Sequence, residues 1–518
     1  MAKPLIWAAR LTAAFFAAAL AASLMVACDD PNKPNDSGLA ITGVDFIPDD
    51  DGQNPVMTGK LVITFNEDVQ GLKRDDIKLN AAFVILKHEI ARTGPEVYEI
   101  KITPGGSGPV MVGLDPYNPS GWKWKAKTVN VYAVFHFTGT SALTITRYNR
   151  TRNAPGNTVI PDKIAGIPVI AVGEGAFNNK AITELSIPDA IETIGRLAFA
   201  NNLLTGVAIP GGVKSVGAGA FLYNKLSAVD ISGGLASIGD EAFNYNQLET
   251  MTIPDSVTSI GRLSFANNRL SVIDIPDSVV YLGQSAFQNN LLTSVDIPKN
   301  ISAIAAGLFS RNMLASVTIP DKAASIGAYA FEFNRLAGIT IPDSVITIGN
   351  NAFNNNMLAD ITFSEGLESI GIGAFAYNKL EVAALPDSLK EIRDGAFENN
   401  YLTAITIGGN VTSIGRNAFA NNRLTIISIG DSVTSIGDYA FQNNQLSVVT
   451  IPDSVKFIGE NAFRNSQLTS ITIGEDVALG RDAFGGGFEA FYSGNEKKAG
   501  CYTRPDAVST DWQFSAGI

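Results

Sequence analysis

Nucleophilic and metal chemistry have few residues to work with in this 518-residue chain. It holds two cysteines, Cys28 and Cys501, and two histidines, His88 and His136. A zinc site needs several such ligands at short spacing, and a thiol nucleophile needs a neighbouring base. The four residues are widely scattered, and neither histidine stands in a triad motif. Paired carboxylates for glycoside chemistry remain open, because Asp and Glu together number 50. Yet Asp255, Asp277 and Asp343 all follow a proline in the same phase of a repeat, which marks a turn rather than a reaction centre. Gly485-Gly486-Gly487 lacks the Lys and Ser/Thr of a phosphate loop. The stretch Asp49–Asn54 offers oxygens to calcium, but lacks the spaced ligands and terminal Glu of a known loop, and reads as a solvated turn. No catalytic residue, metal site or cofactor is expected, and the chain reads as not an enzyme.

Charge narrows the partners. Lys and Arg number 38, giving a net charge of −12. Without residues 1–27, which hold Lys3 and Arg10 and no acid, it is −14. Phosphate binding needs a concentrated basic face, so a nucleic-acid partner is not expected.

Residues 1–27 read as an export signal: a basic start, a mostly apolar run over Leu11–Ala27, and small residues before Cys28. The run of 17 residues is at the short limit for crossing a bilayer. Leu24-Met25-Val26-Ala27-Cys28 resembles the lipobox of bacterial lipoproteins. The resemblance implies that the Cys28 thiol and, after cleavage, its amine are acylated, since one chain alone holds a protein to a membrane only marginally. Residues 28–38 suit a flexible polar tether. A bacterial envelope location follows, lipid-anchored in the outer membrane or at the cell surface.

A repeat dominates the rest. Phe recurs at 177, 199, 221 and onward to 463, fourteen times at a step of 22, and Phe484 comes one residue early. Three residues after Phe stands Asn in twelve units, from Asn202 to Asn444. Eight and ten after are almost always branched aliphatics, and Pro follows at eleven in nine units. Leu-x-x-Ile-x-Ile predicts a short strand in which Ile273 and Ile275 point inward and Val272 and Asp274 outward, ended by Pro276. Gly261 is expected at a sharp bend with an unusual backbone angle. Twenty-two residues cannot enclose a core, so each unit must stack on its neighbours, giving a mainly β solenoid of about 65 Å. The Asn column is expected inside, bonded to backbone at every turn.

This pattern resembles the BspA-like leucine-rich repeats of surface proteins in treponemes and in oral or gut bacteroidetes. Their consensus, Leu-x-x-Ile-x-Ile-Pro-x-x-Val-x-x-Ile-Gly-x-x-Ala-Phe, is matched from residue 139 to the C-terminus. Two departures are the period of 22 rather than about 23 and Asn where the family carries Cys. A right-handed parallel β-helix is the alternative fold.

Residues 134–176 read as an N-terminal lead-in and cap, 177–483 as leucine-rich repeats, and 484–518 as a C-terminal cap in which Cys501 is a packed thiol. Before the array, residues 39–133 hold seven alternating runs separated by Gly, Pro and Asp, which suits an antiparallel β-sandwich. Ile63–Ile77 resembles bacterial immunoglobulin-like modules, which implies a spacer.

Binding is the function such a surface supports. The outward strand residues include Thr252, Asp274, Asp296, Thr318, Thr340, Asp360, Thr362, Thr406, Ser428, Thr450 and Thr472. Thr also simply suits exposed strands, and this stripe lacks the Trp, Tyr and Arg of interface hot spots. A rim four residues after Phe is more varied: Lys225, Arg269, Met313, Arg335, Lys379, Tyr401 and Arg423. The resemblance implies adhesion to a protein partner, from host matrix, serum or another bacterial surface. The alternatives are a glycan-processing enzyme on a β-helix and a self-associating surface-layer element.

Overall fold

The computed structural model describes the backbone of seven strands between residues 41 and 131, and residues 135–148, 156–164 and 166–516 in full. The signal segment, Cys28, the tether and the Asp49–Asn54 turn lie outside the described residues. Each of the seven alternating runs overlaps a strand, although the run Phe83–Leu86 shares only Ile85 and Leu86 with its strand. Ile41–Pro48, Gly59–Phe65, Val97–Pro104 and Ile85–Arg92 pair antiparallel in that order. Ile77–Ala81, Gly108–Leu114 and Lys127–Val131 form a second antiparallel sheet.

The repeats form a β-solenoid whose axis is marked by phenylalanine. From Phe177 to Phe463 every ring is fully buried, and ring centroids of successive coils are 5.1–5.9 Å apart. The early Phe484 stays in the column, 4.9 Å from Phe463, so the shortened last step does not break it. At the other end Tyr148 stacks on Phe177 at 5.0 Å. Ile273 and Ile275 are buried and Val272 is 58% exposed, as the alternation requires.

The continuous ladder, however, does not run through Leu-x-x-Ile-x-Ile. That segment pairs only coil by coil, as in Gly206–Ile209 with Ala228–Ile231, or by the single bridge Thr252–Asp274. The long parallel sheets are built from two-residue strands just before the glycine, such as Ser259–Ile260 beside Tyr281–Leu282. Their closeness explains the glycine, and corrects its expected role. Gly261 is not among the residues with positive φ. A Cβ there would lie 2.5 Å from the Asp240 nitrogen and 2.6 Å from the Gly239 carbonyl carbon, in the preceding coil. Lacking that Cβ, Gly261 donates its N–H to Ile238 O at 2.8 Å.

The left-handed residues stand instead two before and two after Phe, for example Leu263 (φ 54°) and Asn267 (φ 55°). Asn and Gly recur there because they adopt this region at least cost.

Two coils carry a side chain at the glycine position, and both lose the bond to the coil before. Ala305 replaces Gly, its amide lacks the bond to the previous coil that the repeat glycines make, and the parallel sheet is interrupted between Leu282 and Ile304. Arg393 occupies the same position and also lacks the bond, although the sheet continues past it. Gly261→Ala is therefore expected to destabilise the chain by about 1–3 kcal/mol through overpacking against backbone. A denaturation midpoint equal to that of the unaltered chain would remove this account of the glycine.

Both ends of the array are closed by antiparallel strands. Phe135–Thr138 pairs with Leu143–Tyr148, which joins the parallel sheet. At the far end Ser470–Ile473 pairs with Gly500–Thr503, followed by Gln513–Ser515. The short helix Phe488–Gly494 inserts Phe488 and Tyr492 beneath Phe484, and Arg504 lies over the Trp512 ring at 4.6 Å. Cys501 is half-buried, its Sγ 3.5 Å from Ser470 Oγ.

Candidate binding face

The strand face is held in place from beneath by the asparagine column. Asn290, which is buried, donates from Nδ2 to the carbonyls of Phe265 (2.9 Å) and Phe287 (3.1 Å), and its Oδ1 accepts Leu270 N–H at 3.0 Å. One side chain thus ties its own coil to the preceding one at the point where the chain leaves the turn for the strand. The bond set recurs from Asn202 to Asn444. Beyond the strand, serines of the post-proline turn repeat a second tie, as Ser278 Oγ donates to Val257 O at 2.8 Å. The expected inward Asn column is therefore present.

On this base the outward residues fall into one exposed stripe. Thr252, Asp274, Asp296, Thr318, Thr340, Thr362, Thr406 and Thr450 are all exposed. Thr340 lies beside Thr362, Thr406 beside Ser428 and Thr450 beside Thr472 in paired strands. Asp296 and Thr318 share the phase without strand pairing.

Two open depressions interrupt the stripe. One of about 630 Å³ is lined by residues including Asp230, Met251, Thr252, Val272 and Asp274. Another, of about 460 Å³, is lined by Thr318, Thr340 and Pro342 with Asp321 and Asp360. Neither lining contains a base. Val272 was read from sequence as outward, whereas Asp230 and Asp321 were not among the residues singled out. Asp230 stands in the same strand phase as Asp274, so a full reading of that outward column would have included it.

Aromatic and cationic groups stand beside the strand face, in the rim four residues after Phe and in the left-handed column two after it. Arg423 stacks over Tyr401 at 4.1 Å, and Arg311 over Phe333 at 4.5 Å. Tyr223 and Tyr245 stack at 4.7 Å while both stay about half exposed. Burial holds Glu332 and Glu398 above the usual carboxylate range, the former despite nearby Arg311. They stand three coils apart, each coil about 5.4 Å, which exceeds the separation of about 5–10 Å that glycoside hydrolysis uses. Among the described residues no group of three or more His, Cys, Asp or Glu is placed to hold a metal ion.

A family described as "BspA type Leucine rich repeat region (6 copies)" matches residues 170–291, 281–402 and 368–487. No curated protein gives a significant match. Among solved structures, a leucine-rich repeat protein from Bacteroides ovatus is 23% identical, with a TM-score of 0.48, over 68% of this chain and 91% of its own. A leucine-rich cell surface protein from Faecalibacterium prausnitzii is 25% identical, with a TM-score of 0.38, over 68% and 93%. The pneumococcal vaccine antigen PcpA is 17% identical, with a TM-score of 0.37, over 67% and 96%.

Proposed function

The chain belongs to the BspA-type leucine-rich repeat family, and on that footing we propose that it is a lipid-anchored surface protein that binds a protein partner through its strand face. The observation that carries this reading is the stripe itself: an exposed, repeating surface with two depressions lined by Asp and Thr and by no base. Such depressions suit lysine or arginine side chains of a partner, because opposite charge steers and registers the encounter. A matrix, serum or bacterial surface protein is the partner class that fits.

In this reading residues 39–133 are an immunoglobulin-like sandwich that acts as a spacer, and Cys28 is the anchor. Cys28→Ser is expected to abolish incorporation of labelled palmitate into the protein, because the acylated sulfur is gone. Undiminished labelling would sink the lipoprotein assignment. The binding reading is tested by titrating the full chain against immobilised matrix proteins, serum proteins and glycans. Saturable binding to a protein supports it, whereas turnover of a glycan would move weight to the enzymatic alternative.

A further inference from the structure

The strand face is bordered by two columns of opposite charge. Four residues after each Phe stand Lys225, Arg269, Arg335, Lys379 and Arg423, with no acid anywhere in that column. Twelve after Phe, in the turn beyond the strand, the column is acidic, with Asp255, Asp321, Asp343, Asp387, Asp431 and Asp453 among its members and Lys299 as its one base. All these groups are exposed. The two columns lie at opposite ends of the strand, eight residues apart along an extended chain, or about 26 Å at most.

Within the chain nearly all of these charges lack an ion-pair partner among the described residues. The ion pairs of the described residues use other cations, such as Arg262 with Glu241 and Lys390 with Glu368. In the acidic column only Asp277 has a partner, Lys299 at 2.6 Å. The five bases stand two or three coils apart, whereas acids recur in adjacent coils, as at Asp321 and Asp343 or Asp431 and Asp453, where like charges repel; the bases cannot reach across the strand to relieve them. The basic column also carries Leu203, Leu291, Met357 and Tyr401, each 39–46% exposed. Arg, Met and Tyr are the residues that enrich the cores of protein interfaces.

We propose that copies of this chain associate side by side, in parallel, the basic column of one against the acidic column of the next. At equal height Arg269 faces Asp277 of the neighbour, Arg335 faces Asp343, Lys379 faces Asp387 and Arg423 faces Asp431, because each pair belongs to one coil. A parallel neighbour shifted by two coils also brings bases onto acids. An antiparallel neighbour that shows the same face sets base against base. The contact is heterologous, so it extends into open rows rather than closing on itself, and it leaves the strand faces uncovered. Exposed pairs are individually weak and screened by salt. Tethering copies to one membrane raises their effective concentration, which makes weak lateral contacts count.

The test uses the full chain in its own membrane and a carbodiimide, which joins an amine directly to a carboxylate. At about 20 mM salt, species of two or more chains are expected, with amide links between Lys379 or Lys225 and post-proline acids. They should fade at about 500 mM salt. Reversing the basic column (R269E, R335E, K379E, R423E) should reduce linked species about ten-fold or more. Reversing its opposite (D277K, D343K, D387K, D431K) should do the same, and co-expressing the two variants should restore linkage. Monomers alone from the unaltered chain, links to other membrane proteins only, or linkage unaffected by either reversal would overturn the proposal. Unchanged melting of each variant shows that loss of linkage is not loss of fold.

Discussion

Phe287→Ala is expected to destabilise the solenoid by about 3–5 kcal/mol and to split its unfolding into two steps. The ring is fully buried and stacks at 5.5 Å on Phe265 and on Phe309. Truncation leaves a cavity that the coils cannot fill, because each is fixed to its neighbours by backbone bonds. The position adds a second effect. Phe287 and Phe309 face each other across the coil junction where the parallel sheet is interrupted, between Leu282 and Ile304. There the two halves are joined without the sheet, by the aromatic column, the asparagine ties and turn backbone bonds such as Phe287 N–H to Leu308 O at 3.1 Å. A stacked array behaves as a row of nearest-neighbour interfaces, so weakening its weakest interface uncouples the halves. Urea denaturation followed by circular dichroism should show two transitions in place of one. A single transition at an unshifted midpoint would mean that the rings contribute little to coupling between coils.

Asn290→Leu should cost about 1–3 kcal/mol, since it strands the buried amide of Leu270. The carbonyls of Phe265 and Phe287 each lose one donor but keep another, from Asn268 and Asn312 respectively. Leucine has the same number of side-chain heavy atoms as asparagine and the same branching, but offers no donor or acceptor. Asp296→Ala, on the exposed stripe of the same coil, is the comparison and should stay within about 0.5 kcal/mol. Thermal melts of the three proteins decide it. Equal midpoints for Asn290→Leu and Asp296→Ala would show that the asparagine column is replaceable.

The phenylalanine and asparagine columns were legible in the sequence because one residue type serves one purpose in nearly every coil. The outward stripe was legible too, since Ile273 and Ile275 fix which side of the strand is buried. The main sheet was not, because Ser259–Ile260 and its counterparts are only two residues long and carry no alternation to read. The glycine was noticed and misassigned. Close approach to the preceding coil and a positive φ both exclude a side chain, and a sequence does not separate the two reasons. The left-handed positions were obscured because Tyr223, Phe333 and Arg311 interrupt the run of Asn and Gly that would have marked them. The depressions depend on spacing between neighbouring strands, which composition does not encode.

The measurement that tests the binding face most directly is titration of one identified protein partner against the full chain and two variants. Asp274→Lys with Asp360→Lys places a base in each depression, whereas Arg335→Glu alters the rim alone. The account predicts affinity reduced about ten-fold or more by the paired strand-face change and largely kept by Arg335→Glu. Affinity untouched by the paired change but lost with Arg335→Glu would contradict it, and would move the binding surface from the strand face to the rim.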